Sequence, residues 1–201
     1  STKTLNVYHT AYHRDYRITN SGDEPVYYVC NLHFHLNTPD VTLHAGSEKT
    51  DPTLGAAEFS SMFSKSIMIA LGDPGANSDV PWHEIVRTSN PLLQSEFKFT
   101  VDTPRYHDSA HGQAKGHSGT TFIWKRSSET EVGDGAAHSL QNFKLVDEGT
   151  GETVATFANN GLGGWKKKGR FRIVEGVYGG DWENLVLLSC LSLIEKAGGG
   201  A

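Results

Sequence analysis

Cysteine is nearly missing from this chain: 2 in 201 residues, Cys30 and Cys190, with no CxxC pair. That excludes a disulfide-stapled scaffold and a cysteine-based zinc finger, and it makes a reducing, cytoplasmic setting the expectation. Excess charge of one sign is also lacking. With 18 Lys+Arg against 23 Asp+Glu the formal charge is −5, so nucleic-acid binding through bulk charge is not expected. No basic-then-apolar leader opens the chain, and secretion is not expected. No Gly-x-Ser-x-Gly elbow is present, and the glycine-rich stretches 161–164 and 176–180 do not continue into a phosphate-binding motif. Nucleophilic catalysis therefore has no visible support, and the two cysteines, both in apolar surroundings, read as packing residues. Long apolar runs are absent outside the last twenty residues, and the mean hydropathy is −0.42, as expected of one globular domain rather than a multi-span membrane protein.

What is present is β grammar. Short apolar runs are separated by turn residues at intervals of roughly 8–15. Residues 16–19 and 26–30 flank Asn20-Ser21-Gly22-Asp23-Glu24-Pro25, and further strands are expected at 41–44, 56–59, 66–71, 83–87, 96–101, 121–125, 143–147, 153–158 and 170–174. The clearest hairpin is 143–158, where Gly149 and Gly151 can both take positive φ. Stretches 72–81, 103–119 and 127–138 read as long polar loops.

The C-terminus departs from this pattern. Asp181 can cap a helix over 181–197 whose apolar residues, Trp182, Leu185, Val186, Leu187, Leu188, Cys190, Leu191, Leu193 and Ile194, fall all round the axis. Such a helix must be enclosed. Its uninterrupted apolar part spans only about 15 Å, roughly half a bilayer core, so a barrel interior and not a membrane is the expected enclosure. A barrel of about twelve strands has a bore that needs a plug.

The ordered phrases Tyr16-Arg17-Ile18-Thr19, Pro25-Val26-Tyr27-Tyr28-Val29, Leu43-His44-Ala45-Gly46, Leu71-Gly72-Asp73-Pro74, Phe122-Ile123-Trp124-Lys125-Arg126, Lys144-Leu145-Val146-Asp147 and Leu185-Val186-Leu187-Leu188 resemble the Tubby C-terminal-like superfamily. That superfamily includes LURP-one-related proteins and phospholipid scramblases, and the phrases look like a fungal branch of it. The resemblance covers roughly residues 5–197. It implies a barrel around a buried helix, and it implies no reaction. Tubby domains bind phosphoinositide headgroups through basic surface residues, whereas no motif here transfers a ligand residue one by one.

Three clusters are candidates for function. Lys166, Lys167, Lys168, Arg170 and Arg172 form the densest basic stretch, beside Trp165. On a regular strand Lys168, Arg170 and Arg172 share one face and could hold a phosphorylated headgroup, with Lys125 and Arg126 adding to it. The alternative is a solvated edge strand guarded by lysine. His33 and His35 share a strand face, and with Asp40 they have some likeness to the cupin metal motif. The usual carboxylate there is Glu, however, and cupins lack the apolar terminal helix. His107, Asp108, His111 and His117 form a second histidine group in a loop. The expectation is a non-enzymatic, cofactor-free domain over 1–197 with a flexible 198–201 tail, monomeric, cytoplasmic and peripherally membrane-associated through anionic phospholipid. Two alternatives stand beside it: a metal-dependent barrel enzyme at His33 and His35, and a protein-interaction domain acting through loops 72–81 and 103–119.

Overall fold

Side chains alternate across a β-strand, so a strand that buries every second residue has one face on a core. A computed structural model describes residues 1–11, 14–32, 38–61, 64–88, 96–103, 119–127, 141–161 and 166–198. Its strands are β1 (Thr2–His9), β2 (Tyr16–Thr19), β3 (Pro25–Asn31), β4 (Val41–Ala45), β5 (Thr53–Glu58), β6 (Ser66–Leu71), β7 (Trp82–Arg87), β8 (Glu96–Val101), β9 (Thr120–Arg126), β10 (Phe143–Asp147), β11 (Thr153–Asn159) and β12 (Lys167–Val174). Each pairs antiparallel with the next, and β12 returns to β1 to close a twelve-stranded barrel. Closure leaves no edge strand for another sheet to extend.

Helix α1 (Trp182–Gly198) occupies the bore, and every residue from Leu185 to Ile194 is buried. It lies nearest to β4, β5 and β6, and the residues there explain why. Gly55 and Ala57 face α1 from β5. A Cβ at Gly55 would stand 2.9 Å from Leu188 Cδ2 and 2.9 Å from the Ala70 carbonyl oxygen. The opposite wall fills a wider gap with Phe99, Phe122, Trp124, Phe143, Phe157 and Phe171, all nearly fully buried. The helix thus sits off-axis, as small side chains on one wall and rings on the other require.

The two serines inside the bore are satisfied. Trp124 Nε1 donates to Ser189 Oγ at 2.9 Å, and Ser192 Oγ donates to the Leu188 carbonyl at 2.7 Å. Ser189→Ala should therefore lower stability by about 1–2 kcal/mol, because the indole N–H is left buried without its acceptor. A denaturant midpoint checks this, and an unchanged midpoint would contradict it. The helix is fixed at both ends. Glu183 accepts from Lys3 Nζ at 2.8 Å and from the Tyr27 hydroxyl at 2.5 Å. At the other end Tyr16 donates to Glu195, and Lys196 donates to the Ser66 carbonyl at 2.5 Å.

Two sequence expectations change. Strand β1 is not evident from its polar residues, yet it buries Leu5 and Val7 and closes the barrel. In the β10–β11 turn only Gly151 takes positive φ, at 74°. The reversal is held instead by Asp147, whose Oδ1 accepts the Gly149 N–H at 2.8 Å. The loop at 72–81 is described and is ordered by Asp73, which accepts the N–H groups of Gly75 and Ala76. Most of 103–119 and 127–138 lies outside the described residues.

Candidate functional site

The basic feature of the sequence becomes a wall in the fold. Strands β9 to β12 carry seven Lys and Arg residues: Lys125, Arg126, Lys144, Lys167, Lys168, Arg170 and Arg172. Their one acidic residue, Asp147, is fully buried and accepts the Tyr178 hydroxyl at 2.5 Å. These strands therefore hold a formal charge of +6 in a chain whose total is −5.

Strand register decides which cations meet. Arg172 stands opposite Thr156, Thr156 opposite Lys144, Lys144 opposite Lys125, and Lys125 opposite Glu96. At about 4.8 Å per strand, the row from Arg172 to Lys125 is about 14 Å long. Lys125 ends it against Glu96 at 3.3 Å. Arg170 shares the outer face with Arg172, because Gly169, Phe171 and Ile173 alternate with them and are buried. Arg170 Nε donates to Asn6 Oδ1 at 3.4 Å, and Lys167 lies 5.7 Å from the centre of the Tyr8 ring. A shallow depression of about 50 Å³ opens among Ala158, Asn160, Lys167, Gly169 and Arg170. Lys166 is exposed just ahead of β12, and its carbonyl accepts the His9 N–H at 2.7 Å.

The structure places two of the expected cations elsewhere. Lys168 is skipped in the pairing with β1, where Val7 faces Gly169 and Tyr8 faces Lys167. This bulge breaks the alternation that would have put Lys168 beside Arg170 and Arg172. Its Nζ donates to Gln141 Oε1 at 2.9 Å, and it feels Glu195 and Cys190 on α1. Burial pulls the Lys168 pKa below the usual lysine value, and Glu195 works against that shift. Arg126 stands opposite the buried Phe143 and has the inward parity of Phe122 and Trp124. Its Nε is buried without a hydrogen-bond partner. Neighbours on a strand point to opposite faces, so Arg126 does not join Lys125.

Lys144 is the outer cation that reasoning from the basic stretch misses. Its signal is the alternation in 143–147, with Phe143 and Leu145 buried and Lys144 between them. Its proximity to Lys125 depends on register and is not local.

The metal expectation at His33 and His35, the histidine group at His107, His111 and His117, and Trp165 fall outside the described residues. Asp40 is described and buried, and its Oδ2 accepts the Phe59 N–H at 2.7 Å. Among the described residues no three His, Cys, Asp or Glu side chains gather as a metal site. Cys30 and Cys190 are free and buried, and burial raises the pKa of each thiol. Also among the described residues, no helix is long and apolar enough to cross a membrane.

No family model matches this chain, and no curated protein does. A structural likeness does exist. A protein of Arabidopsis thaliana solved by X-ray crystallography matches with a TM-score of 0.54 at 12% identity, over 95% of this chain and 89% of that one. At that identity the likeness concerns the fold alone. The chain is a closed twelve-stranded antiparallel barrel around a C-terminal helix, and it is similar in fold to that plant protein.

Proposed function

We propose that this domain is a non-enzymatic docking module whose β9–β12 wall engages anionic phospholipid headgroups. One observation carries the reading: the only outward charges on these strands are positive, while the chain as a whole is negative. A cation beside an anionic leaflet contributes about 1 kcal/mol, so Lys125, Lys144, Lys167, Arg170 and Arg172 together support reversible docking. Arg170 and Lys167 flank the shallow depression, where one phosphate oxygen set could accept from both. The sequence resemblance to Tubby C-terminal-like domains agrees with this assignment, and the finer family name rests on that resemblance.

Arg172→Gln with Lys144→Gln should reduce binding to phosphatidylserine or phosphoinositide vesicles at low salt by about thirtyfold, from roughly 1 kcal/mol for each of the two cations. Vesicle co-sedimentation at low and physiological salt measures this. Binding that is unaltered by the double change, or that is equal on neutral vesicles, would overturn the reading.

A further inference from the structure

A second row runs beside the cationic one. Val86 stands opposite Lys98, Lys98 opposite Ile123, and Ile123 opposite Val146. Ile123 and Val146 are two residues from Lys125 and Lys144 on the same strands, so they share the outer face, about 7 Å further along. Both are half-buried, and Val86, 37% exposed, is the exposed large hydrophobic residue among those described. The core of a closed barrel is inside, so β-branched apolar side chains on the outside of β7, β9 and β10 contribute little to it. Lys98, within the row, is turned to Glu148 at 2.6 Å.

We propose that the row Val86, Ile123 and Val146 enters the interfacial layer of an anionic bilayer while Lys125, Lys144 and Arg172 engage its headgroups. The inference rests on the docking reading above and commits it to a lipid surface rather than to a soluble phosphate. Charge complementarity selects an anionic partner. The adjoining apolar row matches the depth order of a bilayer, with headgroup phosphate beside hydrocarbon. A soluble anion would make no use of Val86, Ile123 and Val146. The two rows also respond differently to salt, because screening weakens the cationic row and leaves apolar burial in place.

The test compares wild type with the double variant Ile123→Thr/Val146→Thr on phosphatidylcholine vesicles containing a minority of phosphatidylserine. Threonine keeps the β-branched shape, so the strands are retained; a thermal melt confirms this, and Val146→Thr alone carries the same comparison if the double variant melts early. At low salt, with lipid in enough excess that wild type is nearly all bound, the bound fraction of the variant should stay within about twofold of wild type. At about 1 M salt, where the Debye length is ~3 Å, wild type should retain a bound fraction that the variant loses by about fivefold or more. Soluble inositol hexakisphosphate should compete at low salt and fail to strip the salt-resistant fraction. If wild type binds at low salt but is fully released at high salt, or if the variant matches it at both salts, the apolar row has no role and headgroup docking survives alone. If wild type binds under neither condition, both readings fall.

Discussion

Leu188→Asp leaves no cooperatively folded barrel. Leu188 is 1% exposed, and its Cδ2 lies against the position where Gly55 has no side chain. The residues on either side of it on α1, Leu187 and Ser189, are fully buried, so a carboxylate has no outlet to water along the helix. An unpaired buried charge costs several kcal/mol, against a total stability of about 5–15 kcal/mol for a domain. The protonated acid would still leave its hydroxyl and carbonyl without partners in an apolar bore. The expected observation is loss of the cooperative thermal transition and of the compact elution volume. A soluble variant with a wild-type melt would show that α1 is not enclosed.

Gly169→Ala is the second large effect, and it arises from the wall rather than the bore. A Cβ at Gly169 would lie 2.5 Å from the Ala158 carbonyl oxygen and 2.5 Å from Phe157 Cζ. Phe157 is itself fully buried against Phe171, with ring centres 4.7 Å apart. Neither the ladder backbone nor that ring can withdraw without disturbing the β11–β12 pairing. Overpacking of this kind costs about 1–3 kcal/mol and occasionally more, and contact with backbone places this site at the upper end. Gly180→Ala is the matched control, because nothing lies within 4 Å of its Cβ position, and its effect should stay within about 0.5 kcal/mol. Denaturant midpoints of the two variants decide the matter, and equal midpoints would contradict the packing described for Gly169. Gly169 also separates the inward-turned Lys168 from the outward Arg170.

Much of this architecture is legible in the sequence because its signals are local. Period-2 alternation marks the strands from Tyr16 onward, and a helix that is apolar on every side from Leu185 to Ile194 demands enclosure. Together they imply a barrel with a plug. Strand β1 escapes this reading because Leu5 and Val7 stand among Thr, Lys and Asn; it is a strand because β12 and β2 flank it, which is a non-local fact. The candidate site is less legible for the same reason. The run from Lys166 to Arg172 is visible, but the bulge that turns Lys168 inward depends on the pairing of β12 with β1. Lys144 is an isolated lysine in sequence and becomes part of a cationic row only through its register with Lys125 and Thr156. The inward parity of Arg126 was within reach, since it continues the alternation of Phe122 and Trp124.

The docking proposed for the β9–β12 wall depends on the position of its cations and not on the overall charge. It is tested most directly by a charge-matched pair of reversals. Lys144→Glu/Arg172→Glu acts on the wall, and Lys49→Glu/Lys65→Glu changes the net charge equally away from it, between β4 and β5 and just ahead of β6. Affinity for phosphatidylserine-containing vesicles at physiological salt should fall by about a hundredfold or more for the wall reversal and remain within about threefold of wild type for the control. Equal losses in the two variants would mean that net charge alone governs binding, and the assignment of the docking surface to β9–β12 would be wrong.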